Sequence, residues 1–141
     1  MPEPPQLPNH TLAPPLAGLL LTVMALAELG VGLLVLAFPG PVTGLLLAVP
    51  AEGVGLVVAR MAGIAIAALG LTWWHARRDV DQRLTRIVPG FLVYNLGVGL
   101  LFLAYAVTAS AAVPLSWVAA VAHLVGGFAF AAALFAGLKR Q

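Results

Sequence analysis

Residues 16–38 read LAGLLLTVMALAELGVGLLVLAF, an apolar run that contains a single charged side chain, Glu28. At about 1.5 Å per residue, a helix of this length crosses a hydrocarbon layer of about 30 Å. Pro39, Gly40 and Pro41 follow the run and are expected to end the helix. The run therefore predicts a first transmembrane span.

Three further apolar runs predict spans over about residues 53–74, 87–108 and 115–138. The predicted fold class is an all-α, integral membrane four-helix bundle. Because the connections are short, neighbouring helices should be antiparallel and form two tandem transmembrane hairpins. Pro89 would lie in the first turn of the third span, where proline is tolerated. The apolar piece at residues 45–49 is too short to span and is expected at the membrane interface.

The composition also requires a membrane environment. Of the 141 residues, 62% are hydrophobic and 9% are charged, against about 45–50% and about 25% in soluble domains. A soluble fold of this length could not cover so much apolar surface. The chain has no cysteine, which excludes disulfides, thiolate metal sites and cysteine nucleophiles. No nucleic-acid partner is expected, because the basic residues flank the predicted spans.

The arginines predict the orientation. Residues 75–86, HARRDVDQRLTR, hold four arginines, whereas the other two connections hold no Lys or Arg. The positive-inside rule places this stretch and both termini in the cytoplasm, in a multi-pass protein of the inner membrane. The domain plan is a Pro-rich tail (1–15), a transmembrane domain (16–138) and a basic end (139–141). Aromatic side chains are expected at both interfaces: Trp73 and Trp74 at the inner one, with His75, and Tyr105 and Trp117 at the outer one.

The chain contains an internal repeat. Residues 28–38, ELGVGLLVLAF, and residues 95–105, NLGVGLLFLAY, are identical at eight of eleven positions. Residues from Ala59, ARMAGIAIAAL, match those from Ala122, AHLVGGFAFAAAL, more loosely and with one gap. Two hairpins of shared orientation would be related by an axis along the membrane normal.

Each span carries one strongly polar residue at depth, and the repeat pairs them. Glu28 corresponds to Asn95, and Arg60 corresponds to His123. Charged residues within a bilayer face the protein interior and find partners, so we predict an ion pair of Glu28 with Arg60 in a cluster of all four. Three interpretations stay open: a structural pair that fixes helix packing, a site for a quinone-like or lipid-like small molecule, and a proton relay.

Catalytic and metal chemistry find little support in the sequence. The histidines are too far apart along the predicted spans for two of them to flank one haem, and no ligand pair has zinc spacing. No hydrolase, metalloprotease, phosphate-loop or dinucleotide motif occurs. We expect no metal, no cofactor and no catalytic residues. Small residues at four-residue spacing, such as Ala59, Gly63 and Ala67, predict close helix packing, either within the bundle or against a partner.

The chain resembles the small four-helix bacterial membrane proteins of the DoxX-like type. The resemblance rests on its size, on its four predicted spans and on the stretch ARMAGIAIAALG of the second span. It implies a link to quinone-coupled or oxidative-stress redox systems, and it identifies no catalytic residue. The expected function is a non-catalytic accessory or structural subunit of a membrane assembly, with membrane proteins, a second copy and the lipid bilayer as partners. The alternative is binding of a quinone-like or lipid-like molecule at the polar cluster.

Overall fold

The computed structural model describes residues 14–78, 80–109 and 113–138, and its secondary structure there is entirely helical. The five helices are α1 (Pro14–Ala37), α2 (Pro39–Leu47), α3 (Val54–Ala76), α4 (Val80–Thr108) and α5 (Pro114–Leu138). The predicted tail lies almost wholly outside the described residues, as does the basic end at 139–141.

Three helical segments are long and apolar enough to cross a membrane, namely Val54–Ala76, Pro89–Thr108 and Pro114–Ala132. A fourth span is formed if Leu21–Ala37 and Pro39–Leu47 count as one, but that pair is bent by 115°. The apolar helices indicate a multi-pass membrane protein. Residues 39–41 end the first span as predicted, but Pro39 also begins α2, because proline is favoured in the first turn of a helix.

The charged stretch at residues 75–86 is more helical than the sequence predicted. It was expected to connect two spans as a loop, yet α3 continues to Ala76 and α4 already begins at Val80. Pro89 consequently lies inside α4 rather than in its first turn. Arginine and glutamine are good helix formers, so this polar stretch can extend the helix without an apolar face.

The long helices pack as two antiparallel pairs, α1 with α3 and α4 with α5, and contacts between the pairs are fewer. Gly32 lies at the crossing of α1 and α3, where an added Cβ would be 2.4 Å from the Ala67 backbone nitrogen. Gly99 holds the corresponding place between α4 and α5, with an added Cβ 2.8 Å from Leu124 Cγ. Glycine therefore lets both pairs approach closely.

Helix α2 runs crosswise and connects the two pairs at one end of the molecule. The side chains of Tyr105 on α4 and Ser116 on α5 donate hydrogen bonds to the carbonyl oxygens of Leu47 and Leu46. These oxygens lie in the last turn of α2, where a helix leaves carbonyl groups without partners in its own backbone. The predicted interfacial segment is thus the end of a helix that the second pair holds in place.

An aromatic stack joins the pairs at the opposite end. Trp73 is completely buried, with an exposed fraction of 0%, and its ring stacks on Phe91 and Phe130. Leu21 and Ala25 of α1 complete this core. The ring therefore fills the space between the pairs, and the level of Trp73 at the inner membrane interface stays a prediction. The Trp73 indole nitrogen is buried without a hydrogen-bond partner among the described residues.

Candidate ligand site between the helix pairs

The Glu28 carboxylate is the polar group of α1 that meets the second helix pair. It lies nine residues before the end of α1, or about 14 Å along the helix axis. The Tyr94 hydroxyl of α4 donates a hydrogen bond of 3.2 Å to Glu28 Oε2. No other hydrogen bond or ion pair reaches the carboxylate from the described residues. Both side chains are half-buried, so the second oxygen, Oε1, is available to a further donor.

Asn95 and His123 form the other half of the cluster. Asn95 is 2% exposed, and its Nδ2 donates to the Phe91 carbonyl oxygen at 3.0 Å. Its Oδ1 lies 3.1 Å from His123 Nδ1. The His123 ring also meets Tyr94 edge-on, with ring centroids 5.5 Å apart and an interplanar angle of 83°. Gly126 makes room for the carboxamide, because an added Cβ would lie 2.9 Å from Asn95 Oδ1.

These hydrogen bonds determine the imidazole tautomer. The Asn95 Nδ2 group donates to a carbonyl oxygen, so the Oδ1 atom is the one that faces His123. An amide oxygen can only accept, and His123 Nδ1 must therefore carry the proton. In the neutral imidazole, Nε2 then has a lone pair and accepts hydrogen bonds. Among the described residues, neither Glu28 Oε1 nor His123 Nε2 has a hydrogen-bond partner, so the cluster offers two unused acceptors.

Arg60 lies outside this cluster. The contacts of Gly63 with Leu36 and of Gly70 with Leu29 set the register of α1 against α3. Extending that register places Arg60 level with the start of α2 at residue 39. This level is eleven residues, or about 16 Å, from the level of Glu28.

The Arg60 side chain is exposed, and no hydrogen bond or ion pair joins it to Glu28 in the part of the chain that the structure describes. The predicted ion pair is not formed. The depth predicted for Arg60 was wrong because, in the antiparallel pair, the start of α3 extends about two turns past the end of α1. Arg60 therefore lies level with the end of α1 rather than with its middle. The structure thus brings Glu28, Asn95 and His123 to one region and leaves Arg60 at another.

Tyr94 is the member of the cluster that sequence reasoning missed. It touches both Glu28 and His123, and so connects the two halves. Its sequence signal is its depth, since membrane proteins place tyrosine mainly at the interfaces and Tyr94 precedes Asn95 within a span. The repeat gives a second signal, because the corresponding residue of the first copy is Ala27, and a tyrosine therefore stands only in the second copy.

The arrangement provides hydrogen-bond acceptors and no assembled metal site. Among the residues described, no three His, Asp or Glu side chains come together. No family model, curated protein or solved structure matches the chain. The resemblance to DoxX-like proteins therefore stays a prediction.

Proposed function

We propose that the protein binds a hydroxyl-bearing amphipathic molecule, of the quinol type, at the cluster of Glu28, Tyr94, Asn95 and His123. The observation that carries the proposal is the pair of unused acceptors on half-buried side chains between the two helix pairs. A polar group without a partner in an apolar environment is costly, so a ligand that donates to both acceptors is stabilised there.

The direction of the hydrogen bonds selects the ligand chemistry. The Glu28 carboxylate oxygen Oε1 and the neutral His123 Nε2 both accept hydrogen bonds, and the Tyr94 hydroxyl already donates one to Glu28 Oε2. A quinol presents two hydroxyl donors, whereas the oxidised quinone presents only acceptors. The reduced form should therefore bind more tightly. The flanking apolar helices suit the ring and the isoprenoid or acyl chain of such a ligand.

Calorimetric titration of the full-length protein in lipid nanodiscs tests this proposal, with a short-chain quinol and its quinone as the two probes. We expect tighter binding of the quinol. Glu28→Gln should weaken it by about tenfold or more, because a hydrogen bond to a charged group contributes about 1.5–3 kcal/mol. His123→Phe should weaken it by about two- to tenfold, because a hydrogen bond to the neutral imidazole contributes about 0.5–1.5 kcal/mol.

Thr22→Val is the matched control for this titration, since Thr22 lies on the same helix and, within the part of the chain that the structure describes, its hydroxyl bonds only to the Gly18 carbonyl oxygen. Equal binding of quinol and quinone, unaffected by both cluster variants, would refute the proposal.

A second candidate is the role of accessory subunit in a membrane assembly. It is favoured by the sparse contacts between the α1–α3 and α4–α5 pairs, which leave many large apolar side chains of both pairs exposed. Native mass spectrometry of the tagged protein, extracted in mild detergent, tests it. Other polypeptides in fixed ratio would support the subunit. A bare chain, or a chain with a reproducible small-molecule mass that Glu28→Gln removes, would exclude it.

We also infer a duplicated four-span bundle in the inner membrane, with residues 75–86 and both termini in the cytoplasm. The equivalent positions of Gly32 and Gly99 at the two helix crossings support the duplication. The arginine-rich stretch supports the orientation. The chain has no cysteine, so single cysteines introduced at Ala51 and at Arg78 would report their sides cleanly. Labelling of Arg78→Cys by an impermeant reagent in intact cells would show that the orientation is the opposite of the one inferred.

A further inference from the structure

We propose that Arg60 binds the phosphate group of a membrane phospholipid in the leaflet at the α2 end of the helices. Arg60 lies six residues after the start of α3, inside a helix that is apolar enough to cross a membrane. Its side chain is exposed, and it has no hydrogen-bond or ion-pair partner among the described residues. This site is separate from the polar cluster between the helix pairs.

Arginine carries a permanent positive charge on its guanidinium group. The helix face around it is formed by large apolar side chains, Val57 and Ile64, both exposed. A permanent cation on such a face has to be neutralised by an anion or reach water. The long arginine side chain can reach the end of the span for this purpose.

The level of Arg60 matches that of phospholipid head groups. The register of α1 against α3 places Arg60 beside the start of the crosswise helix α2. The far end of α2 is held by Tyr105 and Ser116, and the next residue, Trp117, is exposed. Tyrosine and tryptophan collect where the hydrocarbon region meets the head groups. The guanidinium is thus within reach of the phosphate layer.

A phospholipid is favoured over an acidic side chain of a partner subunit. Transmembrane helices associate through small residues, and those of α3, such as Gly63 and Gly70, already pack against α1. The branched and bulky side chains beside Arg60 are suited to acyl chains instead. The planar guanidinium matches two phosphate oxygens with two parallel hydrogen bonds.

Arginine side-chain NMR tests the proposal on the full-length protein in detergent micelles. The chain has six arginines, so the Nε–H spectrum is simple, and Arg60→Gln identifies the Arg60 signal. The probes are phosphatidylglycerol, diacylglycerol with the same acyl chains and inorganic phosphate. We expect a saturable shift of the Arg60 signal with phosphatidylglycerol and none with diacylglycerol. Arg60→Gln should weaken phosphatidylglycerol binding by about fivefold, while Arg60→Lys retains most of it.

Three results would overturn the assignment. An Arg60 signal that does not move with phosphatidylglycerol excludes a lipid phosphate. Equal affinity for inorganic phosphate identifies a soluble anion as the ligand. Loss of a second copy or of another polypeptide from the Arg60→Gln protein, measured by native mass spectrometry, identifies Arg60 as a protein contact. Far-ultraviolet circular dichroism of each variant verifies that the helices are intact.

Discussion

The two glycines of the first ELGVGLL segment should respond in opposite directions to substitution by alanine. Gly32 lies at the crossing of α1 and α3, where an added Cβ would be 2.4 Å from the Ala67 backbone nitrogen and 2.8 Å from the Gly63 carbonyl oxygen. Gly30, two residues earlier on the same helix, has nothing within 4 Å of an added Cβ. Gly32→Ala is thus the perturbation, and Gly30→Ala is its matched control.

The expected magnitude follows from these distances. Ordinary contact begins at 3.4 Å, so the alanine methyl at position 32 must move the facing backbone by the difference, 3.4 minus 2.4, or 1.0 Å. Backbone atoms cannot rotate away as a side chain can, and the helices must separate. A gap of about 1 Å forfeits up to half of each dispersion contact, and overpacking costs about 1–3 kcal/mol. The higher helix propensity of alanine offsets up to about 1 kcal/mol of this loss.

We therefore expect Gly32→Ala to lower the free energy of unfolding by about 1–2 kcal/mol and Gly30→Ala to raise it by up to about 1 kcal/mol. Titration with a denaturing detergent, followed by far-ultraviolet circular dichroism, measures both. Gly99→Ala should cost less than Gly32→Ala, because its nearest contact is the movable side chain of Leu124. If Gly32→Ala and Gly30→Ala have equal stability, the proposed packing of α1 against α3 is wrong.

Three further predictions concern the places where the helix pairs meet. Trp73→Ala should lower the free energy of unfolding by about 3–5 kcal/mol, because it empties the aromatic core. Trp73→Phe should lower it far less, because it also removes a buried indole N–H without a partner; equilibrium unfolding measures both. Tyr105→Phe combined with Ser116→Ala should speed amide hydrogen exchange in α2, and unchanged exchange would contradict its attachment to the second pair. Gly126→Ala should displace the Asn95 carboxamide and weaken quinol binding, with a smaller effect on stability.

The membrane class and the helix positions could be predicted from the sequence, because the length and polarity of an apolar run are local properties. The predicted span at 53–74 and the helix Val54–Ala76 agree closely. The helical state of residues 80–86 was missed, because the stretch is polar and a membrane criterion assigns it to a loop. The burial of Trp73 between the helix pairs was not predicted, since such burial depends on contacts between distant segments.

The sequence predicted which residues belong to the polar cluster better than it predicted which of them contact one another. The repeat and the cost of membrane burial pointed to Glu28, Asn95 and His123, and the hydrogen bond between Asn95 and His123 joins two of them. Arg60 was misplaced because its level depends on how far α3 extends beyond α1. That extension is set by the sharp bend after α1, and a bend angle of 115° leaves no periodic trace in the sequence.

The attachment of α2 has a consequence for the order of biogenesis. Its terminal carbonyl groups at Leu46 and Leu47 accept from Tyr105 and Ser116, residues that leave the ribosome long after α2 does. Unpaired carbonyl groups are costly in an apolar environment, so α2 should stay at the water-accessible membrane surface until these partners are inserted. These hydrogen bonds can form only after α4 and α5 have entered the bilayer. In a chain truncated before residue 105, we therefore expect cellular proteases to cleave α2.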